Sequence, residues 1–236
     1  MQKIHSWYLL FILAMALSSP ALGQPSTWSD WQHGARGHAQ ALSTAERAME
    51  PMVVYFHTEW CPWCRKLNDR YLRHGQVRDV LSGMQKVEIN PEQDSAGKAL
   101  FGKYGGRGYP SFYVLIPGSG EPPVRISPFK RSSEQSLAEF SDLIRKSATT
   151  QYNRWAHRLV QANDNARALQ VLEKSLANDP RNGYAHYMQG LLYHKEGHET
   201  RNVDLLRRAR IAYEHALSIE PGHTGSQQGL EALRNL

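Results

Sequence analysis

Apolar and polar positions follow two regimes along the chain. Between residues 24 and 148, stretches with helical spacing alternate with short unbroken apolar runs, whereas residues 149–236 show helical spacing alone. An α/β unit followed by an all-α one is predicted. In the first unit, Ala39, Ala41, Leu42, Ala45 and Ala48 mark a helix over Gly37–Glu50 that Pro51 ends. The run MVVYFH, 52–57, reads as a buried strand, MQKVEI, 84–89, as a second, and SFYVLI, 111–116, as a third. Helices are expected over Arg65–Leu72, Val77–Leu81 and Ser95–Tyr104, the last stopped by Gly105 and Gly106. PGSGEPP is a turn and VRISPF, 124–129, a fourth strand. Ser132 and Gln135 form a capping box for a final helix to about Ser147. That order implies parallel strands joined by crossovers, then a hairpin and a closing helix.

The second unit carries an internal repeat. Ala168, Leu172, Leu176 and Pro180 recur 41 positions later as Ala209, Tyr213, Leu217 and Pro221, while Ala156 and Leu159 recur 34 positions later as Gly190 and Tyr193. The difference of seven marks an insertion, placed at HETRNVD, 198–204. Gly190, Tyr193, Gly197, Ala209, Tyr213, Ala216 and Pro221 resemble the tetratricopeptide repeat, although the first unit has Leu172 and Ser175 where the second has Tyr213 and Ala216. Residues 224–235 would close the array. Two units are fewer than such arrays need to stand alone, so they are expected to lean on the first domain. In the repeat family the first helix of a unit lines a groove; here it carries Tyr184, Tyr187, Leu191, Tyr193 and His194, a candidate surface for a protein partner.

At the start of the chain, Lys3 precedes an apolar run from Trp7 to Leu17, and Ala21-Leu22-Gly23 supplies small residues. Residues 1–23 read as a signal peptide, and the run is shorter than the ~20 residues that span a bilayer. The protein is therefore expected to be exported, to a bacterial periplasm. The formal net charge of +6 comes from 28 basic and 22 acidic residues spread along the chain without a basic block, which argues against nucleic acid as a partner.

The chain has two cysteines, Cys61 and Cys64, in WCPWC. A structural zinc site needs four ligands, and no second pair exists; a lone His57 nearby does not complete one. A structural staple stabilises through the length of the loop it closes, and two intervening residues close almost none. The redox reading explains more. With a helix starting at Pro62, Cys61 sits where unpaired N–H groups and the helix dipole favour a thiolate, and Pro62 loses nothing at the first helical position. Cys64 lies one turn on, within reach to resolve a mixed disulfide. Trp60 and Trp63 would either screen the sulfurs or pack ordinarily. No cofactor is implied.

FHTEWCPWCRKL, 56–67, resembles the active-site segment of the thioredoxin superfamily, and KYGGRGYPSFYVL, 103–115, is similar to the segment in which a cis proline precedes a strand. The resemblance covers about 35–147. It implies a thioredoxin-like α/β fold with Pro110 cis and opposite the cysteines, Cys61 as attacking thiolate and Cys64 as resolving thiol. Tyr109 and Pro110, with Trp60 and Trp63, would form the edge where an extended substrate docks. Two departures stand out. Tyr55 occupies the position where thioredoxins usually carry a buried Asp, leaving Glu59 or Glu88 as possible substitutes beside Lys86, and Tyr109 is bulkier than usual. By its resemblance to exported reductases, the chain is expected to be a thiol-disulfide oxidoreductase that reduces protein or peptide disulfides and draws on a redox partner. The rival is a binding or assembly factor that works through the helical repeats, with the α/β unit as scaffold.

Overall fold

The computed structural model describes residues 29–130 and 133–234. The expected signal segment therefore lies outside the described residues, as does Ser132. Among the described residues no helix is long and apolar enough to cross a membrane.

A strand too short to show periodicity, β1 (Gln32–His33), opens the described chain and leads directly into α1 (Gly34–Ala48). Helix α1 stops at Met49, which adopts the left-handed conformation and donates its N–H back to Ala45 and Glu46 carbonyls. Next come β2 (Met52–Phe56), α2 (Pro62–Leu67), a π-helical turn over Asn68–Leu72, α3 (Gly75–Leu81), β3 (Gln85–Ile89), α4 (Ser95–Lys103), β4 (Ser111–Leu115) and β5 (Val124–Ile126). The sheet order is β1-β3-β2-β4-β5.

Strands β1, β3 and β2 are parallel, as expected, but β4 runs antiparallel to β2, with Ser111 opposite Phe56 and Leu115 opposite Met52. The expected crossover into the third strand is thus not made. Helix α4 has nine residues and is followed by the turn at Gly105 (φ 67°), so the chain returns to the pole of the sheet it left and enters β4 from there. The expected fourth strand ends at Ile126 and does not reach Phe129.

Period-two alternation builds two cores from one sheet. Val53, Tyr55, Phe112 and Val114 face α2, α3 and the start of α5, where Leu67, Val77, Leu81, Phe140 and Ile144 are buried. Met52, Val54, Phe56, Tyr113 and Leu115 face α1, whose Ala41 and Ala45 admit close approach.

Helix α5 (Leu137–Gln161) is the main difference from expectation: it does not stop near Ser147 but runs through the 148/149 position without a break. Its cap is Ser136, in a reciprocal box with Glu139. The polar stretch SATTQYN hides the continuation, because its side chains bond within the fold. Ser147 donates to the Leu143 carbonyl (2.7 Å), Thr149 to that of Arg145 (3.0 Å), and Gln151 to that of Ser147 (3.1 Å). The chain then folds into α6 (Asn165–Asn178), α7 (Gly183–Thr200), α8 (Val203–Ile219) and α9 (Thr224–Arg234). The second part is all-helical, and α9 takes the place expected for the closing helix.

The seven extra residues are not a loop. Helix α7 extends to Thr200, Arg201 is its left-handed cap, and Asn202 already caps α8. Seven residues are about two turns, so the insertion lengthens both helices of one hairpin by about a turn each. The second unit leans on the first through Ile116 and Met49, which pack with Tyr152, Trp155, Ala168, Val171 and Met188.

Candidate active site

Strand β2 is prolonged by His57, whose N–H donates to the Ile89 carbonyl (3.0 Å), and a tight turn follows in which the Cys61 N–H meets the Thr58 carbonyl (3.4 Å). Cys61 is the N-cap of α2, Pro62 is the first helical residue, and the Cys61 sulfur accepts a hydrogen bond from the Cys64 N–H (3.0 Å). The sulfur thus stands where a capping oxygen stands in other helices, and a thiolate there would receive the same N–H. Cys61 and Cys64 are joined by a disulfide, with Cα atoms 5.2 Å apart. Both are nearly sealed, 2% and 3% exposed.

The flanking tryptophans are not buried: Trp60 is 62% and Trp63 52% exposed. Large apolar side chains are thus left in water beside a sealed disulfide. The Trp60 ring meets Tyr109 edge-on at 6.2 Å and donates its indole N–H to Glu92 (2.9 Å). Trp63 lies 5.1 Å from the Phe129 ring, and the Lys66 ammonium sits 5.0 Å from the Trp63 centroid. Lys66 also pairs with Glu134, as does Arg70 at 2.7 Å. Sequence reasoning missed Phe129, Lys66 and Glu134 as rim residues; the signal was the apolar Phe129 just beyond the end of a short edge strand.

The Tyr109–Pro110 peptide is cis. Pro110 immediately precedes Ser111, which pairs with Phe56 at the end of β2 that leads to the cysteines. Tyr109 stacks on Phe101 at 4.9 Å and packs against the cluster that holds Cys61 and Cys64. Three parallel strands extended by an antiparallel hairpin, a Cys-X-X-Cys motif opening the helix after the central strand, and a cis proline at the same pole together decide the fold. The α/β half is thioredoxin-like.

No family model matches the chain. Over 143 residues it is 26% identical to the thiol:disulfide interchange protein DsbD 1 of Pseudomonas aeruginosa, an alignment covering 59% of this chain and 23% of that protein. The chain thus spans about a quarter of the length of this curated relative, 23%. Among solved structures it is similar to a thioredoxin from Thermus thermophilus (25% identity, 50% of this chain and 87% of that one, TM-score 0.39). It is also similar to the oxidised C-terminal domain of Neisseria meningitidis DsbD (17% identity, 49% and 97%, TM-score 0.39). A DsbH oxidoreductase aligns with 23% identity over 50% of this chain and 82% of that one, at a TM-score of 0.40.

Beneath the disulfide, Tyr55 donates its hydroxyl to the Cys64 carbonyl (3.2 Å). Burial and the nearby Glu88 charge push its phenol well above the ordinary value, so it remains a proton donor here. Lys86 is occupied by Asp30 (3.3 Å) and the Leu81 carbonyl (3.4 Å). Of the two acids considered as substitutes for the usual Asp, Glu59 is exposed in the turn, whereas Glu88 sits between His33 and His57. Among the described residues no group of three or more His, Cys, Asp or Glu side chains is arranged to hold a metal ion.

The candidate groove residues of the helical part are mostly engaged internally. Tyr193 is buried and accepts a hydrogen bond from Arg208 (2.6 Å), His194 meets the Tyr213 hydroxyl (3.4 Å), Tyr184 meets His157 (3.2 Å), and Tyr187 packs on His223. Leu191 is exposed.

Proposed function

We propose that the protein is an exported thiol-disulfide oxidoreductase that exchanges disulfides with protein or peptide substrates, working as a reductant supplied by a redox partner. The observation that carries this reading is the Cys61 sulfur at the start of α2, holding the Cys64 N–H and flanked by two exposed tryptophans. The reduced Cys61 thiolate attacks one sulfur of a substrate disulfide, displacing the other as a thiolate. Cys64 then attacks Cys61, closing the internal disulfide and releasing the substrate thiol. Trp60, Trp63, Tyr109 and Pro110 form the edge on which the substrate segment lies, with Phe129 as a further wall.

Direction follows from how far the reduced form is stabilised, since strong oxidants stabilise it most. Here the described sulfur contact is one backbone N–H, Cys64 is sealed, and the cations of α2, Arg65 and Lys66, are turned to the Glu59 carbonyl and to Glu134. These features favour a reductant. Export rests on the apolar segment within residues 1–23.

A second reading keeps the helical part as a binding module. Met49 and Ile116, on which that part rests, lie at the pole of the sheet opposite to Phe56 and Ser111. Helix α5 has 25 residues, about 37 Å at 1.5 Å per residue, and carries the chain away from the dithiol. Helices α6–α9 would therefore hold a partner at a distance and not present a client to the thiols of the same molecule.

The test is to express C64A and look for covalent adducts. Adducts on Cys61 that dithiothreitol releases, absent in C61A, support the enzyme and identify its clients. If none form while proteins co-purify through residues 149–236, the binding reading replaces it.

A further inference from the structure

A cleft of about 490 Å³ opens where the helical part meets the α/β part. Pro51, just before β2, lines it, whereas the cysteines follow the other end of that strand, so the cleft and the dithiol lie at opposite poles of the sheet. Its volume falls in the ~300–1,000 Å³ range of small-molecule sites, which favour junctions of this kind. Three helices contribute side chains at helical spacing: Asp79 and Val80 from α3, Arg145 and Tyr152 from α5, and Lys174 and Asn178 from α6. Glu50, just beyond α1, completes the charged lining.

The α/β part thus offers two acids, Glu50 and Asp79, and helices α5 and α6 offer two cations, Arg145 and Lys174. None of the four is paired with another of the four. The Arg145 guanidinium donates to Asp142 on its own helix (2.7 Å), and Glu50 accepts a hydrogen bond from the Gln85 side chain (3.2 Å). The side chains of Asp79 and Lys174 have no hydrogen-bond or ion-pair partner among the described residues.

Nor do these charges hold the junction together. Asn178 does so by donating to the Arg145 carbonyl (3.2 Å) and the Thr149 hydroxyl (3.0 Å), and Tyr152, nearly sealed, by donating to the Met49 carbonyl (2.7 Å). The walls are therefore fixed by other groups, while charged ends of both signs face a common space uncommitted to one another. A ligand with one sign of charge would meet two groups that repel it; a ligand with both can satisfy the two acids and the two cations together.

We infer that this cleft binds a zwitterion of the amino-acid class, a free α-amino acid or a short unblocked peptide. Its ammonium lies toward Glu50 and Asp79 and its carboxylate toward Arg145 and Lys174, with Val80 as an apolar contact. The site is separate from the dithiol and does not depend on the exchange reading above.

The experiment titrates the isotope-labelled full-length protein, its dithiol oxidised, with trialanine and follows the backbone amides by NMR. The amides of Gly83 and Asn178, which line two walls of the cleft, should move saturably while that of Trp63 stays still. A Kd of about 1 mM or below is expected from one charge-assisted contact at each end of the peptide. N-acetyl-trialanine, which lacks the ammonium, and trialanine amide, which lacks the carboxylate, should each bind about tenfold or more weakly. D79N and K174M should each weaken trialanine about fivefold or more, yet D79N should not weaken the acetylated peptide further, nor K174M the amide; a merely structural defect would weaken all three. Absence of a saturable shift, equal binding of the three peptides, movement confined to Trp63 and Tyr109, or variants that titrate like the wild type overturns the inference.

Discussion

Gln151 is the side chain through which the long helix and the sheet depend on each other, and Q151L tests that dependence. It is buried at the exit of β4, where its Oε1 accepts the Ile116 N–H (3.0 Å) and its Nε2 donates to the Val114 and Ser147 carbonyls (3.2 and 3.1 Å). Leucine has similar volume but no polar atoms. Leaving the buried Ile116 N–H without a partner costs about 1–3 kcal/mol, and losing the other two bonds costs about 0.5–1.5 kcal/mol each. Extra apolar burial returns about 1 kcal/mol. The net is a loss of about 1–5 kcal/mol. Urea unfolding followed both by tryptophan fluorescence and by far-ultraviolet dichroism measures it, with Q161L, an exposed glutamine on the same helix, as the reference expected to stay within about 0.5 kcal/mol. A Q151L loss below about 1 kcal/mol would refute the view that this glutamine completes the hydrogen bonding where the strand ends.

Two further outcomes follow from packing and charge. A methyl group at Gly190 would lie 2.6 Å from the Tyr213 ring, which is fully buried and approached from its other side by Gly229. G190A should therefore lose about 1–3 kcal/mol by overpacking despite alanine's better helix propensity, whereas G102A, with open space at its Cβ, should be neutral or slightly stabilising in thermal melts. Burial acts to raise the Glu121 carboxyl, but Arg158 and Arg154 outweigh it and leave the group below its ordinary value in the folded state. The stability from Glu121 is thus present above the ordinary carboxylate range and lost as pH falls through the lower, folded value. Acid titration of stability should show that decline in the wild type and a flatter profile in E121Q, which starts lower at neutral pH and converges with the wild type in acid.

Much of the site was legible because it is local. A capping cysteine, a proline at the first helical position and a second cysteine one turn on are fixed by dihedral preferences and the helical repeat, so WCPWC placed both sulfurs before any fold was known. The cis bond at Pro110 came from a motif. The grouping of Glu88 with His33 and His57 did not, because its three residues come from three strands and meet only through parallel pairing. Phe129 and Glu134 were missed as rim residues because they meet Trp63 and Lys66 only across the fold.

The division holds for the whole chain. From β2 onward the order of helices and strands in the first half, the buried faces of β2 and β4, the helical second half and the seven-residue insertion are consequences of local spacing, which the sequence states directly. Three features were decided by tertiary structure: the antiparallel course of β4, the passage of α5 through a polar stretch, and the exposure of Trp60 and Trp63. Each depends on which partner a backbone or side chain finds across the fold. Gln151 looks like a loop residue until the end of β4 is beside it, and a tryptophan next to a cysteine looks like core until the sheet leaves it in water.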